Sequence, residues 1–263
     1  MLKIGIIGCG GIARVRHAPE YQANSNCKLV AFYNHSREKA EQMAEQYGGV
    51  CCNDVEELLS MGLNAVSICT SNDSHAKLTI RALKAGCHVL CEKPMALTLT
   101  ECKSMVEAAK KNHRKLMIAN NQRFTPAHQK AKELVKNGAI GKILSFETKF
   151  IHRGPDMWTG NSNPWFYDKE KAGLGALGDL GVHKIDVIHH ILGEPIVSVQ
   201  AALKTLDKRY PDGNLINVED NAWCIMETAS GVTGSLYAGW TCYGNERNSF
   251  VVYPESRIIV TKY

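Results

Sequence analysis

No apolar stretch in these 263 residues reaches the roughly 18 to 20 positions that a membrane-spanning helix needs, so no membrane partner is expected. Blocks of like charge are missing too. The 31 basic and 26 acidic residues leave a net charge of +5, and no Lys/Arg run is long enough to form a nucleic-acid arm. Nucleic acid is therefore not an expected partner, whereas a small anionic cofactor or substrate suits the mild basic excess. There are ten cysteines but no Cys-x-x-Cys pair, and no His/Cys set has metal-ligand spacing, so no metal is expected. Cys69 and Cys91 lie in apolar runs, as buried, reduced thiols do. This points to the cytoplasm and away from a disulfide framework. The N-terminus, MLKIGIIGCGG, lacks a charged segment followed by a long apolar one and a cleavage site. It reads as a strand, not a signal peptide. Internal repeats and low-complexity segments are also absent.

What is present is an ordinary globular composition, long enough for two modest domains. Apolar runs at 2–7, 28–33, 65–69, 88–91 and 115–119 predict buried strands. Between them, 11–24, 37–47, 56–61, 74–85 and 98–112 read as helices, with Pro19 expected to shorten or kink the first and Thr98 to cap the last. Strands alternating with helices at this spacing imply right-handed βαβ units and a parallel sheet. After about Asn121 the rhythm changes. A helix over 126–137 precedes a strand over 142–152, an aromatic loop over 153–172, and a helix that ends near Gly193. Strand-like segments follow at 196–203, 222–227, 234–240 and 257–261. The expected fold is α/β: a Rossmann-type dinucleotide-binding domain over 1–121, then an α+β domain over 122–263 on a mostly antiparallel sheet.

Gly8-Cys9-Gly10-Gly11-Ile12-Ala13 fits G-x-G-x-x-G/A and sits between a strand and a helix. Gly8 permits the tight turn, Gly10 and Gly11 let a pyrophosphate approach the backbone, and Ala13 allows close helix packing. The helix start adds amide donors and a positive dipole end. NAD-preferring sites usually carry Asp or Glu at the end of the second strand, but here the residues are Asn34, His35, Ser36 and Arg37. Two readings stay open. Arg37 and His35 meet a 2′-phosphate, as in NADP, or Asn34 binds the bare hydroxyl of NAD.

A second motif is the run Gly173-Leu174-Gly175-Ala176-Leu177-Gly178-Asp179-Leu180-Gly181-Val182-His183-Lys184-Ile185-Asp186. On one helix Asp179, His183 and Asp186 share a face, and a carboxylate one turn from an imidazole suits proton transfer. Asp186 reads as a helix-packing or hydrogen-bonding residue, and His189 and His190 as structural. A third motif, Glu92-Lys93-Pro94, follows the strand at 88–91, at the carboxyl edge where such sheets bind ligands.

With Thr70-Ser71-Asn72, His75 and Asn121-Gln122-Arg123-Phe124, these motifs resemble the Gfo/Idh/MocA family of nicotinamide-dependent sugar and polyol dehydrogenases, in order and over residues 1 to about 250. The resemblance implies that Thr70, Asn72 and His75 lie along the cofactor, that Glu92 and Lys93 border the nicotinamide, and that Asn121 and Arg123 lie where the domains meet. It also implies that Lys93, Asp179 and His183 serve substrate and proton transfer. The chemistry is coherent in its own right. Oxidising a carbinol needs a hydride acceptor, a base such as a neutral imidazole, and a cation near the developing alkoxide. Trp165 either walls a sugar site or joins Trp158, Phe166 and Tyr167 in anchoring a loop. The expected activity is hydride transfer between NAD or NADP and a secondary hydroxyl of a sugar, sugar phosphate, nucleotide sugar or cyclitol. Alternatives are a redox-elimination glycosidase using held NAD and a non-catalytic dinucleotide-binding regulator. The end at Tyr263 makes the second domain short for the family. Homo-oligomerisation through its sheet is expected, with a partner covering an exposed edge.

Overall fold

A computed structural model describes residues 1–256 and 258–262. The chain divides into two compact units, residues 1–119 and 120–263.

In the first unit the strands are β1 (Leu2–Ile7), β2 (Cys27–Tyr33), β3 (Val50–Cys51), β4 (Ala65–Ile68), β5 (His88–Cys91) and β6 (Leu116–Ile118). They form one parallel sheet in the order β3-β2-β1-β4-β5-β6, the doubly wound arrangement. Apolar side chains are buried on both faces. Ile7, Val66, Ile68 and Val89 belong to one cluster, while Ile4, Ile6, Leu29 and Phe32 belong to another. That is why these strands read as continuous apolar runs rather than alternating ones. The helices are α1 (Ala18–Ala23), α2 (Arg37–Tyr47), α3 (Val55–Ser60), α4 (Asn72–Lys84) and α5 (Leu99–Lys111). The start of α5 is a capping box: Glu101 N–H donates to Thr98 Oγ1 at 3.2 Å, and Thr98 N–H donates to Glu101 Oε2 at 3.0 Å.

The helix predicted over 11–24 is interrupted. Residues Ala13–His17 form a π turn in which Ala18 N–H reaches the Ala13 carbonyl, and Pro19 falls in the first turn of α1. A wider turn ahead of Pro19 lets the helix continue past a residue without an N–H donor.

The second unit holds α6 (Pro126–Lys136), β7 (Ile143–Ile151), α7 (Pro155–Thr159), α8 (Lys169–Ala172), α9 (Val182–Leu192), β8 (Ile196–Lys204), β9 (Asn221–Thr228), β10 (Thr233–Gly239), β11 (Arg247–Pro254) and β12 (Ile259–Lys262). The sheet order is β12-β11-β7-β10-β9-β8. Its pairs are antiparallel except β7 with β10, which run parallel over Ser145–Ile151 and Thr233–Gly239. Alternate residues Cys224, Met226, Leu236, Ala238, Phe250 and Val252 pack with Val187, Ile188 and Ile191 of α9. The opposite face exposes Trp223 and Ile225 of β9, with Trp223 stacked on Tyr237 at 5.0 Å, while Val199 and Leu203 of the edge strand β8, paired with Met226 and Ala222, are exposed on the helix-covered side.

Two strands escaped the sequence reading. β3 is only two residues long, too short to show a pattern. β11 opens on Arg-Asn-Ser, which reads as loop, yet it pairs with β7 from Arg247 to Pro254. The strand predicted at 257–261 begins on Arg257, outside the described residues. The strand there spans Ile259–Lys262.

Candidate active site

In the first unit the expected cofactor residues all follow the carboxyl ends of strands: Gly8 after β1, Asn34 after β2, Thr70 after β4 and Glu92 after β5. Gly8 has φ +95°, and a Cβ there would lie 2.6 Å from the Cys69 carbonyl group, so both conformation and space require glycine. At Gly10 and Gly11 a Cβ would meet nothing within 4 Å. The loop is therefore tight against β4 at its first glycine and open at the next two, as a pyrophosphate cradle requires. The residues present fit a dinucleotide.

The ends of the loop are fastened by side chains. Asn34 Oδ1 accepts from Cys9 N–H at 2.9 Å, and its Nδ2 donates to the Ser36 carbonyl at 2.9 Å. Asn34 thus staples the glycine loop to the end of β2. Arg37 donates to Glu41 at 2.7 Å and to Asn53 at 2.5 Å. His35 beside it is exposed. Thr70 Oγ1 is hydrogen-bonded to Ser74 Oγ at 2.5 Å, and Asn72 opens α4, buried. His75 is fully buried, with Nδ1 at 2.8 Å from the Pro94 carbonyl and Nε2 at 3.2 Å from the Thr70 carbonyl. Burial lowers its pKa below the ordinary value. A neutral ring has one N–H, and the shorter contact takes it, bracing the turn that carries Lys93.

Glu92 is 9% exposed. Its Oε1 lies 2.8 Å from His17 Nε2, and its Oε2 accepts the Lys93 main-chain N–H at 3.1 Å. Burial pushes the carboxyl up, but the His17 hydrogen bond and the neighbouring Lys93 bring it below its usual value.

In the second unit, Asp179 and His183 do not share one regular helix. Leu177–Gly181 form a second π turn, closed by Val182 N–H on the Leu177 carbonyl, and α9 begins after it. The wider turn rotates Asp179 away from the i,i+4 alignment that α spacing predicts. Gly178 and Gly181 let it fit, since a Cβ at Gly181 would lie 2.5 Å from Leu177 Cδ1. Glu219 supports the start of this segment. Its carbonyl accepts Ala176 N–H at 2.9 Å and its Oε1 accepts Leu177 N–H at 3.0 Å. A Cβ on Gly175 would lie 1.9 Å from the Glu219 carbonyl oxygen, so the glycine run is a packing requirement.

Asp179 is 8% exposed, and its Oδ2 accepts the Trp240 indole N–H at 3.3 Å. Trp240 is fully buried, and its main-chain N–H donates to the Asp220 carbonyl at 2.8 Å. The buried Asp220 carboxylate in turn gathers the N–H groups of Leu206, Asp207 and Lys208 at 2.8 to 2.9 Å. His183 is half-buried, its ring 6.0 Å from that of Phe150. Behind it Lys184 is fully buried. Its amine donates to Gln122 Oε1 at 3.1 Å and lies 5.6 Å above the centre of the Phe150 ring. Burial pushes its pKa down to about 7.

Asp186 is turned to a different task. Arg123 grips both of its carboxylate oxygens, and Asn120 donates to Oδ1 at 3.0 Å. Arg123, expected where the domains meet, thus holds α9, and Asn121 beside it is exposed. Trp165 stacks on Phe166 at 3.9 Å, and Trp158 meets Phe166 edge-on at 5.3 Å, so one Trp165 face belongs to the loop cluster. His189 Nε2 accepts Ile196 N–H at 3.2 Å. Among the described residues, no group of three or more His, Cys, Asp or Glu side chains is arranged to hold a metal ion. No described helix is long and apolar enough to cross a membrane.

His17, Lys184, Glu219, Asp220 and Trp240 were not singled out from sequence. Only His17 carried a signal, an imidazole four residues beyond Ala13 on the same helix. The others act through contacts distant in sequence.

A doubly wound sheet with a glycine loop at its carboxyl edge defines the first unit as a dinucleotide-binding domain, and the second carries an acid–imidazole helix on a mixed sheet. The chain belongs to the GFO/IDH/MocA oxidoreductase family. Residues 2–120 match its NAD-binding Rossmann fold and residues 128–260 a GFO/IDH/MocA C-terminal domain. Levoglucosan dehydrogenase of Pseudarthrobacter phenanthrenivorans is 31% identical over 286 residues, covering 96% of this chain and 70% of that protein. D-glucoside 3-dehydrogenase of Escherichia coli K12 is 35% identical over 199 residues, covering 74% of this chain and 55% of its own. A solved levoglucosan dehydrogenase complex with NADH and L-sorbose superposes with a TM-score of 0.90 at 32% identity, covering 100% of this chain and 73% of that one. The chain thus spans between 55% and 70% of the length of these two curated relatives.

Proposed function

We propose that this protein is a NAD-dependent dehydrogenase that oxidises a secondary hydroxyl of a sugar or cyclitol. The observation that carries this reading is that Lys93, Asp179 and His183 are all present, Lys93 directly after the buried Glu92 and Asp179 bound by Trp240, in a chain whose relatives include sugar and inositol dehydrogenases. Gly8 to Ala13 hold the pyrophosphate, and bound NAD supplies the hydride acceptor. His183 accepts the hydroxyl proton as the carbinol C–H bond breaks and the carbonyl forms. Lys93 donates a hydrogen bond to the same oxygen and stabilises its developing negative charge. Asp179, fixed by Trp240, binds a neighbouring hydroxyl. Thr70, Asn72 and Glu92 line the cofactor.

The side chains after β2 favour NAD over NADP. Arg37, the residue expected to meet a 2′-phosphate, already pairs with Glu41 and Asn53. The test is a screen for NAD and NADP reduction over glucosides, sugar phosphates, nucleotide sugars and cyclitols. Reduction of NAD with at least one of them is expected. Cleavage of aryl glycosides without net cofactor reduction would indicate a redox-elimination glycosidase. Tight NADH binding with no turnover on any substrate would indicate a regulator.

Exposed Trp223 and Ile225 on the open face of the sheet, with exposed Val199 and Leu203 on its edge strand β8, support a homo-oligomer formed through this sheet. Trp223→Glu should dissociate it, read by light scattering, and a parent chain that is itself monomeric would refute the assembly. The ten free thiols support a cytoplasmic location.

A further inference from the structure

We infer that His17 is a positioning residue for nicotinamide binding, acting through the carboxylate of Glu92; the inference rests on the dehydrogenase reading above. A buried chain of hydrogen bonds carries it. Tyr21 Oη lies 2.7 Å from Ser67 Oγ, Ser67 Oγ lies 3.2 Å from His17 Nδ1, and His17 Nε2 lies 2.8 Å from Glu92 Oε1. Lys93 N–H completes the set at Glu92 Oε2, 3.1 Å away. The His17 side chain is 6% exposed and that of Glu92 12%. Each link needs one proton, and all donors and acceptors are matched when Tyr21 donates to Ser67, Ser67 to Nδ1 and Nε2–H to Glu92. Glu92 is fixed through its main chain as well, its N–H donating to the Ile68 carbonyl at 2.9 Å.

The parts come from four places in the chain. Tyr21 belongs to α1, Ser67 to β4, and Glu92 follows β5, while His17 ends the π turn. That turn places the imidazole over the sheet, and burying a carboxylate there is tolerable only with such a donor. Glu92 and Lys93 are consecutive, so the Glu92 rotamer sets how the turn bearing the Lys93 amine is presented. Nothing in the proton-transfer scheme uses His17 directly. Its contribution is orientation, not chemistry.

The test compares NADH with ADP-ribose, which lacks the nicotinamide, by calorimetric titration of the intact chain. His17→Leu should weaken NADH about tenfold, the scale of a lost hydrogen bond to a charged group, and leave ADP-ribose within about twofold. His17→Gln, which keeps a donor near the Nε2 position, should restore NADH binding to near the parent value. Glu92→Gln should reproduce the His17→Leu loss, and the double variant should lose no more than either single one. Equal weakening of both ligands, or additive losses in the double variant, would make His17 merely structural and overturn the inference. If His17→Leu does not fold, Glu92→Gln carries the same test, and unchanged NADH affinity in it is fatal. A parent chain that binds neither ligand overturns the cofactor reading and this inference with it. Binding of both without a selective loss overturns this inference alone.

Discussion

His183→Asn is expected to lower kcat by roughly 10²- to 10⁴-fold, the usual contribution of a positioned general base, while leaving NADH affinity near that of the parent. Asparagine retains polarity and approximate size at the start of α9 but cannot accept a proton at neutral pH. The pH profile supplies the sharper test. In the oxidation direction the base must be neutral, so a parent enzyme should lose activity at acid pH as the base becomes protonated. The variant should lose that acid limb as well as its rate. Lys93→Met should produce a different signature: a loss of roughly 10²- to 10³-fold, comparable to deleting one oxyanion donor, with the limb intact. An unaltered limb in His183→Asn would place the base elsewhere. Unchanged turnover in Lys93→Met would remove that residue from the reaction.

The parallel sheet was legible because its strands are buried on both faces and so appear as unbroken apolar runs, each closed by glycine or a polar turn. The glycine loop was legible for a related reason, since Gly8 needs its positive φ and its missing Cβ at the same place. The two π turns were not. They leave the local composition helical, and only the i→i+5 closure at Ala18 and Val182 reveals them. Both carry side chains of the candidate site, His17 and Asp179, so this hidden feature rotates groups that α periodicity would place elsewhere. For Arg37 and Asn34 the sequence shows chemical capacity alone. Helix spacing offers the Arg37–Glu41 pair, but the contacts of Arg37 with Asn53 and of Asn34 with Cys9 join positions that only the fold brings together. Lys184 shows the same limit more strongly. Inside a helical motif it looks like a solvated cation, whereas α9 packs that face against Gln122 and Phe150.

That burial makes Lys184 the source of the second large effect, on stability rather than turnover. Its amine has one hydrogen-bond acceptor, Gln122 Oε1, and an aromatic face, and its pKa falls from 10.5 to about 7. A folded-state value below the unfolded one means that the unfolded chain binds more protons between the two. Stability therefore rises with pH above about 7 and is lost as pH falls back toward it. The depression corresponds to a penalty on the order of 5 kcal/mol when fully developed, gained back at about 1.4 kcal/mol per pH unit above 7. The usable window closes near pH 8.5. Beyond it cysteines ionise in the unfolded chain, while burial keeps the Cys9 and Cys91 thiols protonated up to about 12, which reverses the trend. The buried His75 and His128, both pushed below the ordinary imidazole value, act at pH values under this window. The cleanest measurement is the difference between parent and Lys184→Met in denaturant unfolding at pH 7.0, 7.75 and 8.5. At pH 7.0 the methionine variant should be the more stable. Relief of a partly charged buried amine outweighs the one acceptor left unpaired at Gln122, worth about 1 to 3 kcal/mol. Its advantage should shrink by about 2 kcal/mol by pH 8.5 as the parent lysine discharges. A difference that stays constant across the window would mean that the amine remains charged and solvated in the folded chain.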